Sequence, residues 1–479
     1  VRAQRLSEIA GAVGGRLVGD DATVTSVAVH ASRVGPGTLF VALPGTRTDG
    51  HGFVIEAFDR GARGVLVERS DGLPGPAVTV ASTPDALLAL AARARSTLGA
   101  RVIGITGSVG KTSTKDMAFS VLAERFGTHA SPASFNNQVG VPLTILGTDP
   151  GVDVLVCEIG AGVVGEIADL CRVVRPHIGV VTSVGVAHLE TFGTRANIGR
   201  AKAELVEALP PHGLAILHAD DPVVRTFARR TAAAVWTFGR SPGADIRAEG
   251  VSLDEMARAR FVLVARGDRA DVRLAVPGEH MVANALAAAG CGLALGLSPA
   301  ECARGLGRAR VSRWRMEVRR AGGLVVLNDA YNAGPASVQA ALRTARRMAG
   351  GGRCIAVLGA MAELGPISGL AHREVGAAAA TLGVDVLIAV GPAASPIGEA
   401  ALAAGLAPGR VVAVGDVEEG LDAVRRTAMA GDVVLVKGSR VAGLERLAAR
   451  LAQPSAAIHH SVNSEQRPSA SSSITHRFT

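Results

Sequence analysis

Short apolar runs recur along most of the chain, at residues 101–106, 152–159, 177–181, 214–217, 324–327, 354–358, 387–390, 411–414 and 433–436, with alanine-rich stretches between them. Runs without polar alternation suit strands buried on both faces. Their regular alternation with helices predicts parallel α/β layers joined by right-handed crossovers. Two regions depart from this rhythm. Before residue 98 the pattern predicts helices over residues 55–60 and 84–95 among short strands at residues 23–29, between two turns within 32–45, and at 64–67, hence a small mixed sheet. Between residues 245 and 276, alternating runs such as 260–264 and 272–276 predict an antiparallel hairpin. The expected architecture is therefore α/β in three domains. A small mixed unit spans residues 1–98, a doubly wound unit 99–312 and a Rossmann-like unit 313–453, followed by a Ser-rich, disordered tail over 454–479.

Composition sharpens this picture. A chain of 479 residues matches three domains at roughly 150 residues each. The formal charge of +8, from 50 basic and 42 acidic residues, is spread over helix-like segments without aromatic interleaving, which argues against a nucleic-acid binder. The five cysteines are isolated and set among apolar residues, as in a reduced protein. The opening residues are too polar for a signal peptide, and the longest uncharged small and apolar stretch, residues 285–298, is too short and glycine-rich to span a bilayer. A cytoplasmic monomer without membrane insertion is expected.

The clearest chemistry lies at residues 101–116, where an apolar run ends in Thr106-Gly-Ser-Val-Gly-Lys-Thr112. In a strand–loop–helix context Gly107 and Gly110 let the backbone approach a phosphate. Lys111 then reaches the β/γ-phosphates and Thr112 offers a hydroxyl to magnesium, with Ser108 and Ser113 alongside. The strict motif wants glycine at position 105, where this chain has Ile105. The run at 152–159 carries Glu158 at its carboxyl end, a carboxylate placed to hold magnesium at the carboxyl edge of a parallel sheet. His188 and Glu190 follow the next run; they are either a solvated junction or part of the same phosphate region. Lys202, between Ala201 and Ala203, is either an ordinary surface lysine or one approached closely by a ligand. Asn136 and Asn137 either cap a helix or face the nucleotide loop. In the third unit Asp329, Glu363 and Lys437 stand at run ends and are expected on one rim.

In their order along the chain, these stretches, with Gly185-Val-Ala-His-Leu-Glu-Thr-Phe-Gly193, Asn328-Asp-Ala-Tyr-Asn332, Leu364-Gly365 and Lys437-Gly-Ser-Arg440, resemble the ATP-dependent Mur ligase family of bacterial peptidoglycan synthesis. The resemblance covers residues 1 to about 452. It implies an enzyme that uses ATP and Mg2+ to join D-alanyl-D-alanine to UDP-N-acetylmuramoyl-tripeptide through an acyl phosphate. Sister activities adding a single amino acid, and a nucleotide-gated module without activity, are the alternatives. Lys111, His188 and Lys202 are then catalytic. Thr112, Glu158, His188 and a carbamylated Lys202 serve the metal ions. Asn284, Arg315, Asn328, Asp329, Tyr331 and Asn332 join the phosphate loop around ATP. Ser32, Arg33, Thr46, Asp49, His51, Asn136, Asn137, Lys437 and Ser439 are expected to contact the other substrates. Ala31, Gly334 and Ala360 depart from the family pattern, which bears on substrate detail.

Overall fold

Residues 101–106 become the strand Arg101–Thr106, and its neighbours are set by register: Ile105 pairs with Glu158 on one side and Val180 on the other. The computed structural model describes residues 3–45 and 48–453; Thr46 and the tail expected to be disordered lie outside the described residues. The central sheet has nine strands, and Arg101–Thr106 lies between Val154–Glu158 and Ile178–Val181. Neighbours pair in parallel as far as Ile246–Leu253; at that end Arg258–Ala265 pairs antiparallel with it, and Asp268–Pro277 antiparallel with Arg258–Ala265. The expected hairpin thus gains a third strand and extends the central sheet. Helices Lys111–Leu122 and Met281–Ala294 cover one face through Met117, Val121 and Leu286, and Arg195–Glu207 covers the other through Leu205.

The first unit is a five-stranded mixed sheet in which only Arg16–Val18 and Ala77–Thr79 pair antiparallel. Residues 23–29, read as one strand, form two. Thr23–Val24 pairs with Gln4–Arg5 while Ser26–Ala28 joins the main sheet, because the Thr25 N–H turns to the Gly37 carbonyl at 2.7 Å. The third unit is a six-stranded sheet, parallel except where Glu317–Ala321 meets Leu324–Asn328.

Apolar packing crosses both junctions. One core runs from Leu6, Leu39 and Leu87 of the first unit to Leu155 and Val174 of the second; another joins Val121 and Leu286 to Leu327 and Leu342 of the third. The five cysteines are free and buried, and among the described residues no helix is long and apolar enough to cross a membrane.

Candidate active site

The sequence pattern after the loop predicts a helix over residues 115–125; the helix runs instead over Lys111–Leu122, because Gly110 at φ 88° turns the chain directly into it. Glycine is required here twice over. A Cβ at Gly107, φ 144°, would lie 2.0 Å from Thr182 Oγ1, and one at Gly110 would lie 2.3 Å from Asn284 Oδ1. Ile105 is buried within the strand, so the loop opens one residue beyond the strict motif. The next strand's end braces the loop: Thr182 Oγ1 donates to the Val109 carbonyl at 2.6 Å, and the Gly185 N–H donates to Ser108 Oγ at 2.9 Å. Lys111 Nζ folds back to donate to the Gly107 carbonyl at 2.7 Å. Enclosure by protein lowers its pKa, Glu158 opposes that shift and Arg315 adds to it.

Glu158 is buried at the mouth of this loop. One carboxylate oxygen accepts from Asn136 Nδ2 at 2.7 Å, whereas Oε2 is buried with no hydrogen-bond partner among the described residues. Thr112 Oγ1 pairs with Ser134 Oγ at 3.1 Å. Asn137 Oδ1 accepts from the Val139 and Gly140 N–H groups at 3.2 and 2.9 Å in the turn that leads into the helix Gly140–Leu146, whose N-cap is Val139, and Asn137 also borders the cavity. His188 stands at φ 60° with Nδ1 against Glu363; burial lowers its pKa, Glu363 opposes this, and Lys111 and Lys202 add to the lowering. Glu190 is exposed and gives its backbone N–H to the Glu363 carbonyl.

Lys202 is no surface lysine. Its side chain is 2% exposed, with Nζ 5.6 Å from the Phe192 ring centroid. Burial, then Lys111, lowers its pKa to about 7 against the opposing pull of Glu204 and Glu166.

From the third unit Arg315 stacks on Tyr331 and donates through Nη2 to Ser134 Oγ at 3.0 Å, yet its buried Nε has no partner among the described residues. Asp329, Glu363 and Lys437 do share one rim. Lys437 is buried and spends its ammonium on Asp329 Oδ2 at 2.5 Å and the Asn332 carbonyl at 2.9 Å, so it shapes the Tyr331 loop. Ser439 Oγ accepts from the Ala362 N–H at 2.9 Å. Asn328 is buried outside the cavity and holds the Ala330 N–H at 3.2 Å.

These groups surround a cavity of about 1150 Å³ bordered by the central and third units. Ser108, Ser113, Asn284, Asp329, Tyr331 and Asn332 also line it; Gly107, Lys202 and Asn328 stand behind its wall. A second cavity of about 610 Å³ is lined by Arg33 and His30 of the first unit, Phe135 and Asn137 of the central unit and Tyr331 of the third. Ser32, Asp49 and His51 line neither cavity. His51 is committed internally: Nδ1 meets Asp49 Oδ1 at 2.7 Å and Nε2 accepts from the Glu68 N–H at 2.9 Å.

Sequence reasoning missed Ser134 and His280. Ser134 borders both cavities, and its only signal was membership of a polar loop beside the asparagines. His280 precedes the helix Met281–Ala294 on the cavity wall, and burial drives its pKa down to about 4, so it is neutral.

A phosphate loop, a carboxylate with a free oxygen and an arginine from a separate α/β unit, all on one cavity, define a nucleotide-dependent multidomain α/β protein. Comparison with known families makes this specific. Residues 23–96 match the Mur ligase family catalytic domain, 105–292 the Mur ligase middle domain, and 314–440 the Mur ligase glutamate ligase domain. The chain belongs to the Mur ligase family. It is 40% identical to the UDP-N-acetylmuramoyl-tripeptide--D-alanyl-D-alanine ligase of Mycobacterium tuberculosis (strain ATCC 25618 / H37Rv), over 93% of this chain and 96% of that protein. Among solved structures it is similar to MurF from Acinetobacter baumannii, with TM-score 0.84, 30% identity and coverage of 94% of this chain and 100% of that one. It is also similar to MurF ligase from Thermotoga maritima in complex with ADP, with TM-score 0.78, 29% identity, and coverage of 90% and 97%.

Proposed function

We propose that this protein is the ATP-dependent ligase that joins D-alanyl-D-alanine to UDP-N-acetylmuramoyl-tripeptide in peptidoglycan precursor synthesis. One observation carries the reading of the site. Glu158 and Arg315, which line a single cavity beside a phosphate loop, each carry a buried polar atom without a partner among the described residues, Oε2 and Nε. One requires a cation and the other an anion, which is the demand that a magnesium–nucleotide phosphate meets. Full-length similarity to dipeptide-adding ligases supports the substrate pair.

The tripeptide's terminal carboxylate attacks the γ-phosphorus of ATP, the bond to the bridging oxygen breaks, and ADP departs. The amine of D-alanyl-D-alanine then attacks the acyl phosphate, and phosphate leaves from the tetrahedral intermediate. Lys111, released from the Gly107 carbonyl, holds the β- and γ-phosphates, while Ser108, Gly110 and Ser113 contribute the surrounding loop. Arg315 brings a second cation from the third unit, and Tyr331 braces its guanidinium plane. Asn284, Asp329 and Asn332 border the nucleoside end. Neutral His280 stands beside it.

Thr112 and Glu158 would hold Mg2+, with His188 toward a second ion. Bound metal neutralises the charge that develops during phosphoryl transfer. No cluster of three or more His, Cys, Asp or Glu able to hold a metal occurs among the described residues. Magnesium takes one or two carboxylates and completes its shell with substrate phosphates and water, and the Glu158 carboxylate with the Thr112 hydroxyl beside it suits that donor set. Lys202 fits carbamylation because a pKa of about 7 leaves much of it as the free amine that reacts with CO2.

Residues 1–98 would take the UDP-muropeptide through Arg33 and the second cavity, 99–312 the nucleotide, and 313–453 the acceptor near Ser439. Mass-resolved product formation tests the reading. With ATP, Mg2+ and UDP-N-acetylmuramoyl-tripeptide, pentapeptide should form with D-alanyl-D-alanine and not with single amino acids. Nucleotide binding without ligation of any acceptor would reject it.

A further inference from the structure

Glu363 belongs to the third unit, yet its carboxylate Oε2 lies 2.5 Å from Nδ1 of His188 in the central unit. Two non-glycine residues in left-handed backbone meet here, His188 at φ 60° and Glu363 at φ 62°. Such residues hold this conformation only where their surroundings impose it. The imposing contacts come from both units. The Glu363 carbonyl accepts the Glu190 N–H at 3.2 Å, and the Ser439 N–H donates to the Ala360 carbonyl at 2.9 Å. The Met361 N–H donates to Nε2 of the buried His372 at 2.9 Å. Within the third unit, residues 360–363 are thus braced by Ser439 and His372.

The His188 and Glu363 side chains are 35% and 53% exposed, so the pair adds little to folding stability. Its effect is on orientation. A carboxylate that accepts the Nδ1 proton of histidine fixes the ring and its tautomer and leaves the Nε2 lone pair outward; this is how histidines facing metals are commonly held. Nε2 of His188 has no hydrogen-bond partner among the described residues, and the side chain borders the phosphate cavity.

We propose that Glu363 is the positioning residue for His188, holding the imidazole in the Nδ1-protonated tautomer and completing this arrangement only when the third unit is docked. The proposal rests on the reading of His188 as a group directed at the phosphate and metal region. It assigns that orientation to a residue of another domain.

The test uses the full chain, metal-free, with 15N-labelled histidine at a pH where the imidazole is neutral. The His188 signal is assigned by its loss in His188→Gln. The unsubstituted protein should show the Nδ1–H tautomer. Glu363→Ala should shift the signal toward Nε2–H and lower kcat at least tenfold with the circular dichroism spectrum unchanged. Glu363→Gln, whose amide oxygen still accepts from Nδ1, should retain the tautomer and most of the activity. An unchanged tautomer in Glu363→Ala, or a Gln variant that behaves like Ala, overturns the proposal. The tautomer is read without substrate, so failure of the ligase reading would appear separately, as absent product from the unsubstituted protein.

Discussion

The Arg315 guanidinium carbon lies 4.1 Å from the centre of the Tyr331 ring, and the same side chain reaches Ser134, which pairs with Thr112 of the phosphate loop. The third unit therefore reaches the phosphate-loop side of the cavity with a planar cation. Arg315→Ala should lower kcat by about 100-fold, the scale of losing one preorganised donor at developing charge. Arg315→Lys should recover little, because an ammonium supplies neither the stacked plane nor the rigid fork of paired donors. Steady-state ADP release measures both, and a Lys variant with full activity would show that charge alone matters.

The free oxygen of Glu158 leads to a separate expectation. Glu158→Gln preserves shape and the contact near Asn136 but removes the negative charge that a cation requires. The Mg2+ concentration for half-maximal rate should rise at least about tenfold, while affinity for metal-free ATP should hold or improve as a repulsive carboxylate is lost. Calorimetry with and without Mg2+ separates the two, and equal weakening in both would count against a metal role.

Much of this was legible in the sequence because it is local. The strand ending before Gly107, the Gly-Lys-Thr loop that follows it and the carboxylate ending Val154–Glu158 lie within short windows where apolar pattern and loop chemistry agree. What was not legible depends on which partner each group meets once the chain is folded, whether near or far in sequence. Nothing near residue 202 says that Phe192 and the Arg195–Glu207 packing seal it from water, and nothing near residue 437 says that Asp329 will claim its ammonium. Asn137 had two open readings, and only the Val139 and Gly140 N–H groups show it holding the turn into a helix while it also borders the cavity. The split of residues 23–29 depended on Gly37, which no two-residue period reveals.

Arg95 makes a prediction about folding. It is buried at the junction of the first and central units, where it donates to the carbonyls of Val174 at 2.8 Å, Leu98 at 3.2 Å and Arg175 at 3.3 Å. Two of these close the carboxyl end of Glu166–Val174, where a cation is favoured. Arg95→Met keeps apolar volume but leaves the carbonyls without their donor, at a cost of about 1–3 kcal/mol. The unfolding midpoint should fall while kcat at low temperature stays near the unsubstituted value, because no atom of Arg95 borders either cavity. A large fall in kcat without loss of stability would instead mean that this junction controls the site.

Lys202 combines function and stability with opposite signs. Its pKa falls from 10.5 in the unfolded chain to about 7 in the folded one, chiefly through burial. Between those values the unfolded chain binds a proton that the native state does not, so stability rises with pH across that window. Below about 7 both states are protonated and the folded protein bears the whole cost of an enclosed ammonium. Lys202→Met should therefore raise the unfolding midpoint, with the gain complete below pH 7 and fading toward 10.5. The same change should abolish ligation, because methionine can form no carbamate. In the unsubstituted protein, carbamate labelled from 13C-bicarbonate should increase as pH rises through 7, since each N–C bond forms from a neutral amine with release of a proton. A methionine variant that is no more stable near neutrality would mean that the amine is already compensated in the fold, and the lysine would then lack the free-amine chemistry that the carbamate requires.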